Sequence, residues 1–391
     1  MKTFEYERAT DVASAVATLD RTPNAKPLGG GTNLVDLMKL GVERPDLLVD
    51  VSRVDFGGVD ELPDGGLRIG AGVRNSDLAA HPLVRTRYPA LTRALVSAAS
   101  GQLRNQATTG GNLLQRTRCT YFMDTTKPCN KREPGTGCGA IAGLSRELGI
   151  LGVNDLCIAT HPGDMAVALA ALDAVVVFET VDGEQRLPID GFFREPGDDP
   201  TRDTNLPSGA LITAVELPAL PVATNSTYRK ARDRRSYAFA LGSVAAALSV
   251  DEAGVVTDVR IALGAASPVP WRARKAEEAL VGSPATPASF AAAAQLELAA
   301  ATTTEQNAFK VALLTRLVVG VLSELAGLDH EADDTAEGVD PSPFRPTGAN
   351  GAHRHVAADV EPASGTGTAD DTGTADDTGT ADATDTEGNP A

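Results

Sequence analysis

Two glycine-rich segments carry the residue types that bind phosphate groups. The first runs through Leu28, Gly29, Gly30, Gly31, Thr32, Asn33 and Leu34, shortly after Lys26. Glycines let backbone N–H groups turn toward an anion, and the threonine and asparagine add side-chain donors. No Gly-Lys-Ser/Thr follows, and Leu34 stands where a Gly-x-Gly-x-x-Gly fingerprint needs its third glycine. Taken alone, the segment indicates either a phosphate cradle or a plain tight turn.

The second segment repeats this chemistry further along the chain, in Thr108, Thr109, Gly110, Gly111 and Asn112. An ordinary turn is again the simpler interpretation. Two such loops in one chain can also hold the two phosphates of a dinucleotide from opposite sides. The pair therefore favours dinucleotide binding more than either loop alone.

The four cysteines are the third chemical signal, because all of them lie in one stretch: Cys119, Cys129, Cys138 and Cys157. They contain no close Cys-x-x-Cys pair of the zinc-ribbon kind. Disulfides are disfavoured because the first residues lack the apolar core of a secretion signal. A glycine- and proline-rich loop suits an iron–sulfur cluster, whose ligands converge from irregular backbone. Zinc and unliganded thiols remain as alternatives.

Two charged positions complete the set. Asp164 directly precedes an apolar helical stretch, where it is either a helix N-cap or a ligand-binding carboxylate. Lys230 lies in a run of cations at the start of the second half of the chain, where alternation points it and Arg232 to one side of a strand. Such a run is otherwise a solvated face.

Alternating and helical apolar patterns predict a mixed α and β protein around these residues. Helices are expected at 10–19, with Thr10 or Asp11 as the N-cap, and at 89–99 and 164–172. Strands are expected at 47–51, 67–71 and 174–179. In the second half, three strands precede three helices: 227–231, 239–250 and 255–263, then 272–280, 287–300 and 304–325. This order predicts a separate α+β domain after a boundary near residues 218–225.

Charge and composition exclude several classes of function. The 391-residue chain has a formal net charge of −17, most of it after residue 330. Neither half has the basic stripe of a nucleic-acid binder, and no apolar run is long enough to span a membrane. Residues 331–391 are nearly devoid of large apolar side chains and repeat Gly-Thr-Ala-Asp-Asp-Thr. They are predicted to be a disordered acidic tail.

In this order, the motifs resemble the FAD-binding medium subunit of the molybdenum hydroxylases, the xanthine dehydrogenase and carbon monoxide dehydrogenase family. The resemblance covers residues 1 to about 327. It implies an α+β fold: a two-part FAD-binding domain of the PCMH (vanillyl-alcohol oxidase-like) type over 1–220, and a CO dehydrogenase flavoprotein C-terminal-like domain over 225–328.

The resemblance also implies roles for single residues. In that family the two glycine loops hold the FAD pyrophosphate, the aspartate contacts the adenosine portion, and the lysine lies near the flavin. Carried over by position, these cofactor-binding roles fall on Lys26, on residues 28–34, on residues 108–112, on Asp164 and on Lys230, with Ile212 as a backbone or apolar contact.

The cysteine stretch is where the chain departs from the ordinary medium subunit. An insert at about residues 114–159 separates the second glycine loop from Pro162-Gly163-Asp164. It resembles the FAD subunit of the bacterial three-subunit aldehyde oxidoreductases, in which four such cysteines hold an extra [4Fe–4S] cluster. The flavin subunit of 4-hydroxybenzoyl-CoA reductase is the alternative within the family.

The resemblance implies a division of labour between subunits. Substrate would be oxidised at a molybdopterin cofactor on a large partner, and electrons would cross the [2Fe–2S] clusters of a small partner to FAD here and then to an external electron acceptor. The expected location is the cytoplasm, or the periplasm if the chain is exported with a signal-bearing partner. Two other classes remain: a stand-alone FAD oxidase and a non-catalytic chain with a zinc-stapled loop.

Overall fold

A computed structural model describes residues 1–328. The segment 331–391, predicted to be a disordered tail, lies outside the described residues. The first part of the described chain, up to residue 217, contains these elements in chain order: β1 (Glu5–Arg8), α1 (Val12–Arg21), β2 (Ala25–Leu28), α2 (Leu34–Lys39), β3 (Leu47–Asp50), β4 (Val59–Glu61), β5 (Leu67–Gly70), α3 (Asn75–Ala80), α4 (Pro82–Arg87), α5 (Pro89–Ser97), α6 (Gly101–Arg104), α7 (Thr109–Leu113), α8 (Thr120–Met123), α9 (Asp164–Ala171), β6 (Val175–Thr180), β7 (Gly183–Pro188), α10 (Ile189–Phe192) and β8 (Leu211–Leu217).

The second part begins after a 3₁₀ turn at Pro221–Thr224 and contains four strands and three helices. They are β9 (Ser226–Ala231), β10 (Gly242–Val250), β11 (Val256–Gly264), β12 (Trp271–Arg272), α11 (Arg274–Leu280), α12 (Pro287–Leu298) and α13 (Phe309–Leu325). The mixed α and β content confirms the predicted fold class.

A small parallel sheet opens the chain, in the order β1-β3-β2. The first helix, α1, packs against it and starts as its sequence predicts. Asp11 accepts the Ser14 backbone N–H at 2.7 Å, and the Ser14 hydroxyl contacts the Asp11 backbone N–H at 3.2 Å, which completes a capping box. Pairing with β3 fixes the position at which β2 ends, and the chain leads from there directly into the first glycine-rich segment.

A five-stranded antiparallel sheet follows, in the order β4-β5-β8-β6-β7. Its central strand β8 is buried along its whole length. Beside the sheet lies α9, in which every residue is buried. A helix that is apolar on all sides belongs inside a protein, and α9 accordingly packs against α5 and also against β10 and β11 of the second part.

The second part is an antiparallel sheet, β12-β11-β10-β9, with helices on both faces. Along β10, Val244, Ala246 and Leu248 join the core formed with α11, α12 and α13, whereas Ala245 joins the core around α9. This is the period-two alternation of a strand buried on both faces.

Residues 114–159 have little regular structure: one short helix, α8, and two isolated bridges, Cys129–Cys138 and Asn154–Cys157. Phe122, Leu148 and three of the four cysteines form a core with Leu37 of α2, whereas Ile150 and Leu151 join the core of the second part. The insert is therefore packed against both α2 and the second part of the chain.

None of the helices within residues 1–328 is long and apolar enough to cross a membrane.

Candidate functional site

The first glycine segment connects β2 to α2 and lies against the second. Gly31 has a φ of +71°, a left-handed conformation that favours glycine. A Cβ on Gly30 would stand 2.1 Å from the backbone oxygen of Gln106, so this position accepts only glycine without movement of the chain. A Cβ on Gly29 would stand 3.0 Å from Thr108 Oγ1. The structure thus brings the two segments into direct contact.

The second segment forms the start of α7. Thr108 caps this helix, because its hydroxyl accepts the Gly111 N–H at 3.2 Å. Thr109 is turned away, and its hydroxyl donates to the backbone oxygen of Val73 at 3.0 Å. The Asn112 side-chain oxygen accepts a hydrogen bond from Gln115 at 2.9 Å.

Both segments line one large cleft of about 840 Å³. This volume lies in the range of about 300–1,000 Å³ typical of cofactor pockets. Of the residues predicted to bind the cofactor, the cleft is lined by Lys26, 28–34, Thr108, Gly110, Gly111 and Ile212. Thr109, Asn112, Asp164 and Lys230 are not among its lining residues.

One wall of the cleft presents an unused donor. The Asn33 side-chain oxygen accepts the Arg116 backbone N–H at 2.9 Å, while its amide nitrogen is buried with no hydrogen-bond partner among the described residues. A buried donor without a partner is costly, and a bound polar group in the cleft would satisfy it. The residues present therefore fit a dinucleotide.

Sequence reasoning missed a charged network beside Asn33. Arg116 contacts Glu43 and Asp203, each at 2.7 Å, and Lys131 contacts Asp203 at 2.5 Å. Burial works to raise the pKa of the Asp203 carboxyl, but Arg116 and Lys131 outweigh it and hold that pKa below its ordinary value. No sequence signal marks this network, because its members are far apart in the chain.

Asp164 and Lys230 bind each other. Their side chains, 6% and 3% exposed, form an ion pair at 2.8 Å, and the Tyr228 hydroxyl donates to the other Asp164 oxygen. Asp164 is the first residue of α9, and Gly163 occupies the N-cap position. The N-cap interpretation of Asp164 is therefore wrong, because its carboxylate binds Tyr228 and Lys230 of β9 instead of capping its own helix.

Asp164 lines a second cavity of about 310 Å³. This cavity adjoins the large cleft, since Thr160, His161 and Pro162 line both. The Arg118 guanidinium stands 5.2 Å from the centre of the Phe239 ring, and both residues line the second cavity. The two cavities together extend from the glycine loops to Asp164.

All four cysteines line a third, small pocket inside the insert. None is in a disulfide; Cys119, Cys129 and Cys157 are buried and Cys138 is partly exposed. The backbone N–H of Ala159 points to the Cys157 sulfur at 3.5 Å. Free thiols around one pocket, with a backbone donor to sulfur, are a donor set that fits an iron–sulfur cluster.

Burial favours the protonated form of two of these thiols, Cys119 and Cys157. It raises the pKa of Cys119 to about 11 and also raises that of Cys157. Metal ligation would then release protons, because the thiolate is the ligand. Within residues 1–328 no group of three or more Cys, His, Asp or Glu residues is arranged to hold a metal ion. A tetrahedral zinc site needs four sulfurs at about 2.3 Å from one ion.

Comparison with known proteins agrees with these features. The family described as FAD binding domain in molybdopterin dehydrogenase matches residues 2–220, and the CO dehydrogenase flavoprotein C-terminal domain matches residues 226–325. The chain is 50% identical over 327 residues to the aldehyde oxidoreductase FAD-binding subunit PaoB of Escherichia coli, which covers 83% of this chain and 98% of that protein.

More distant similarity extends to both sequence and structure. The carbon monoxide dehydrogenase medium chain of Hydrogenophaga pseudoflava is 27% identical over 299 residues, which cover 76% of this chain and 86% of that protein. A solved structure of carbon monoxide dehydrogenase from the same organism superposes with a TM-score of 0.63 at 26% identity, covering 82% of this chain and 96% of that one. The chain belongs to the FAD-binding medium subunits of the molybdenum hydroxylase family and is a subunit of an oxidoreductase of that type.

Proposed function

We propose that this chain is the electron-transfer subunit of a molybdenum-dependent aldehyde oxidoreductase and that it holds both FAD and a [4Fe–4S] cluster. One observation carries the proposal: Cys119 lines both the four-cysteine pocket and the second cavity. A cluster in the first would therefore lie beside a flavin in the second.

The proposed FAD site extends over both cavities. The pyrophosphate lies between the glycine segments, where Gly29, Gly30, Gly31 and Gly111 keep the backbone open and the free Asn33 amide donates. Thr109 and Asn112 support the second glycine segment without contacting the cofactor. The Thr109 side chain is hydrogen-bonded to Val73 and the Asn112 side chain to Gln115. Ile212 supplies an apolar contact in the cleft wall.

Asp164 and Lys230 serve one end of the cofactor in this proposal. The resemblance assigns the aspartate to the adenosine and the lysine to the flavin, but two side chains in an ion pair at 2.8 Å share one location. We assign both to the flavin end, because Asp164 lines the second cavity. Their charges are already balanced, so they orient the cofactor without adding net charge.

The four cysteines are assigned to a [4Fe–4S] cluster. Its support is the set of four free thiols that line one pocket. Sulfurs bind the corners of a cluster and so need not converge on one central atom as they do around zinc. The zinc staple is the competing assignment for the same four thiols.

Partner subunits follow from the family. Flavins and iron–sulfur clusters supply one- and two-electron chemistry when bound, and residues 1–328 offer pockets for them. We therefore place substrate oxidation on a molybdopterin-containing large subunit, with [2Fe–2S] clusters on a small subunit and an external acceptor that accepts the electrons. The 50% identity to an aldehyde oxidoreductase subunit supports an aldehyde as the substrate class.

The test is to purify the native complex anaerobically through a tag on this chain and to add an aldehyde. We expect molybdenum in the same particle and bleaching of the flavin absorbance on this subunit. Bleaching without any partner chain would instead support a stand-alone oxidase. If the purified particle contained molybdenum but its flavin stayed oxidised after aldehyde was added, the aldehyde assignment would be overturned.

A further inference from the structure

His161 stands at the junction of the two cavities and lines both. It is 8% exposed, and its ring packs edge-on against Phe193, with the ring centres 4.6 Å apart. A buried histidine that lines both cavities is placed to contact a ligand that extends from one into the other.

The hydrogen bonds of the ring define its protonation state. Nδ1 accepts the backbone N–H of Gly163 at 3.1 Å, so the proton of the neutral ring is on Nε2. Burial lowers the pKa of His161 to about 4, which keeps the ring neutral at physiological pH. The nearby charges are Asp203, which works to raise this pKa, and Lys131, which works to lower it.

Nε2 has no hydrogen-bond partner within the part of the chain that the structure describes, although it is buried. A buried N–H without an acceptor costs free energy, and native proteins rarely keep one. Asn33, in the wall of the large cleft, presents the same kind of unused donor. Both residues line the large cleft.

We propose that the His161 Nε2–H donates a hydrogen bond to bound FAD where the cofactor passes from the large cleft into the second cavity. The acceptor is an oxygen or ring nitrogen of the cofactor in that middle region. This inference rests on the proposed function, since it requires FAD to occupy both cavities. His161 is then a cofactor-binding residue contributed by the chain immediately after the cysteine insert.

The test measures FAD affinity on the flavin-depleted full-length protein by quenching of flavin fluorescence. His161→Leu removes the donor at similar volume, whereas His161→Gln keeps an N–H at nearly the same position. We expect about tenfold weaker binding for His161→Leu, affinity close to wild type for His161→Gln, and unchanged iron in both. Equal affinity of His161→Leu and wild type would overturn the inference.

A second measurement covers the case in which the leucine variant does not fold. The chain has five histidines, so the wild-type protein labelled with ¹⁵N-histidine gives few ring signals. We expect FAD to shift the Nε2 resonance of His161, assigned with the glutamine variant. An unmoved resonance in flavin-loaded protein would refute the role of His161 alone. If wild-type protein bound no FAD, the proposed function would fail together with this inference.

Discussion

Asn33 and Arg116 are joined by a hydrogen bond of 2.9 Å from the Arg116 backbone N–H to the Asn33 side-chain oxygen. Asn33 belongs to the first glycine segment, and Arg116 leads into the cysteine insert. The bond fixes the asparagine amide so that its nitrogen remains free at the cleft. It also ties the proposed phosphate site to the start of the insert.

We predict that Asn33→Ala weakens FAD binding by roughly tenfold, because it removes one donor to the cofactor and one bond to Arg116. Equilibrium dialysis of the purified variant measures this affinity. Asn105→Ala is the matched control, since Asn105 is exposed and does not line the cleft. Full flavin affinity in the Asn33 variant would mean that the pyrophosphate lies elsewhere.

Gly30→Ala tests the contact between the two glycine segments. The new methyl group would meet the Gln106 carbonyl at 2.1 Å, so the segments must separate. We expect a loss of stability of about 1–3 kcal/mol and a lower flavin content, measured by denaturation and by absorbance.

Gly101→Ala provides the control for this substitution, because a Cβ there meets no heavy atom within 4 Å. If Gly30→Ala retained both wild-type stability and full flavin, the close approach of the two segments would be refuted.

Cys129→Ser tests the cysteine pocket. We expect the variant to lose its iron and the broad visible absorbance of the cluster, because a serine hydroxyl replaces one of four thiolates. FAD is expected to remain largely bound, since Cys129 does not line the large cleft. Iron content equal to that of wild type would contradict the ligand assignment, and the flavin content of the same sample serves as the control.

Lys310 makes stability depend on pH. This lysine is fully buried in α13, and its ammonium donates to the Ala265 oxygen at 2.7 Å. Burial lowers its pKa from 10.5 to about 7, with Glu147 working to raise it and Arg146 to lower it. From pH 7 to 10.5 the unfolded chain therefore binds one more proton than the folded chain, so this group makes stability rise with pH across that window.

We predict that Lys310→Met removes that rise and stabilises the protein at neutral pH by up to several kcal/mol. Urea denaturation at about pH 7 and about pH 9 measures the difference. Lys275→Met, at an exposed position of α11, controls for the loss of a lysine. An identical pH slope in wild type and Lys310→Met would contradict the prediction.

The sequence predicted those features that depend on local pattern. Asp11, one of the two predicted N-caps, places the start of α1, and the alternation along β10 and β11 places both strands. The grouping of the cysteines also anticipated their convergence on one pocket. Each of these features is determined by residues close together in the sequence or by residue type alone.

The sequence could not predict contacts that depend on how distant segments pack. The ion pair of Asp164 with Lys230 and the bonds of Arg116 to Asp203 join residues many positions apart. Strand β8 was not predicted either, and its neighbours β5 and β6 come from distant parts of the chain. Tertiary packing decides each of these.

The central claim is that one chain holds FAD and a [4Fe–4S] cluster in adjoining pockets. An anaerobic absorption spectrum, with iron, sulfide, zinc and flavin quantified on the same purified sample, tests it most directly. We predict FAD together with about four irons and four sulfides per chain. Flavin accompanied by zinc, or by no metal, would contradict the claim and reduce the cysteine insert to a structural element.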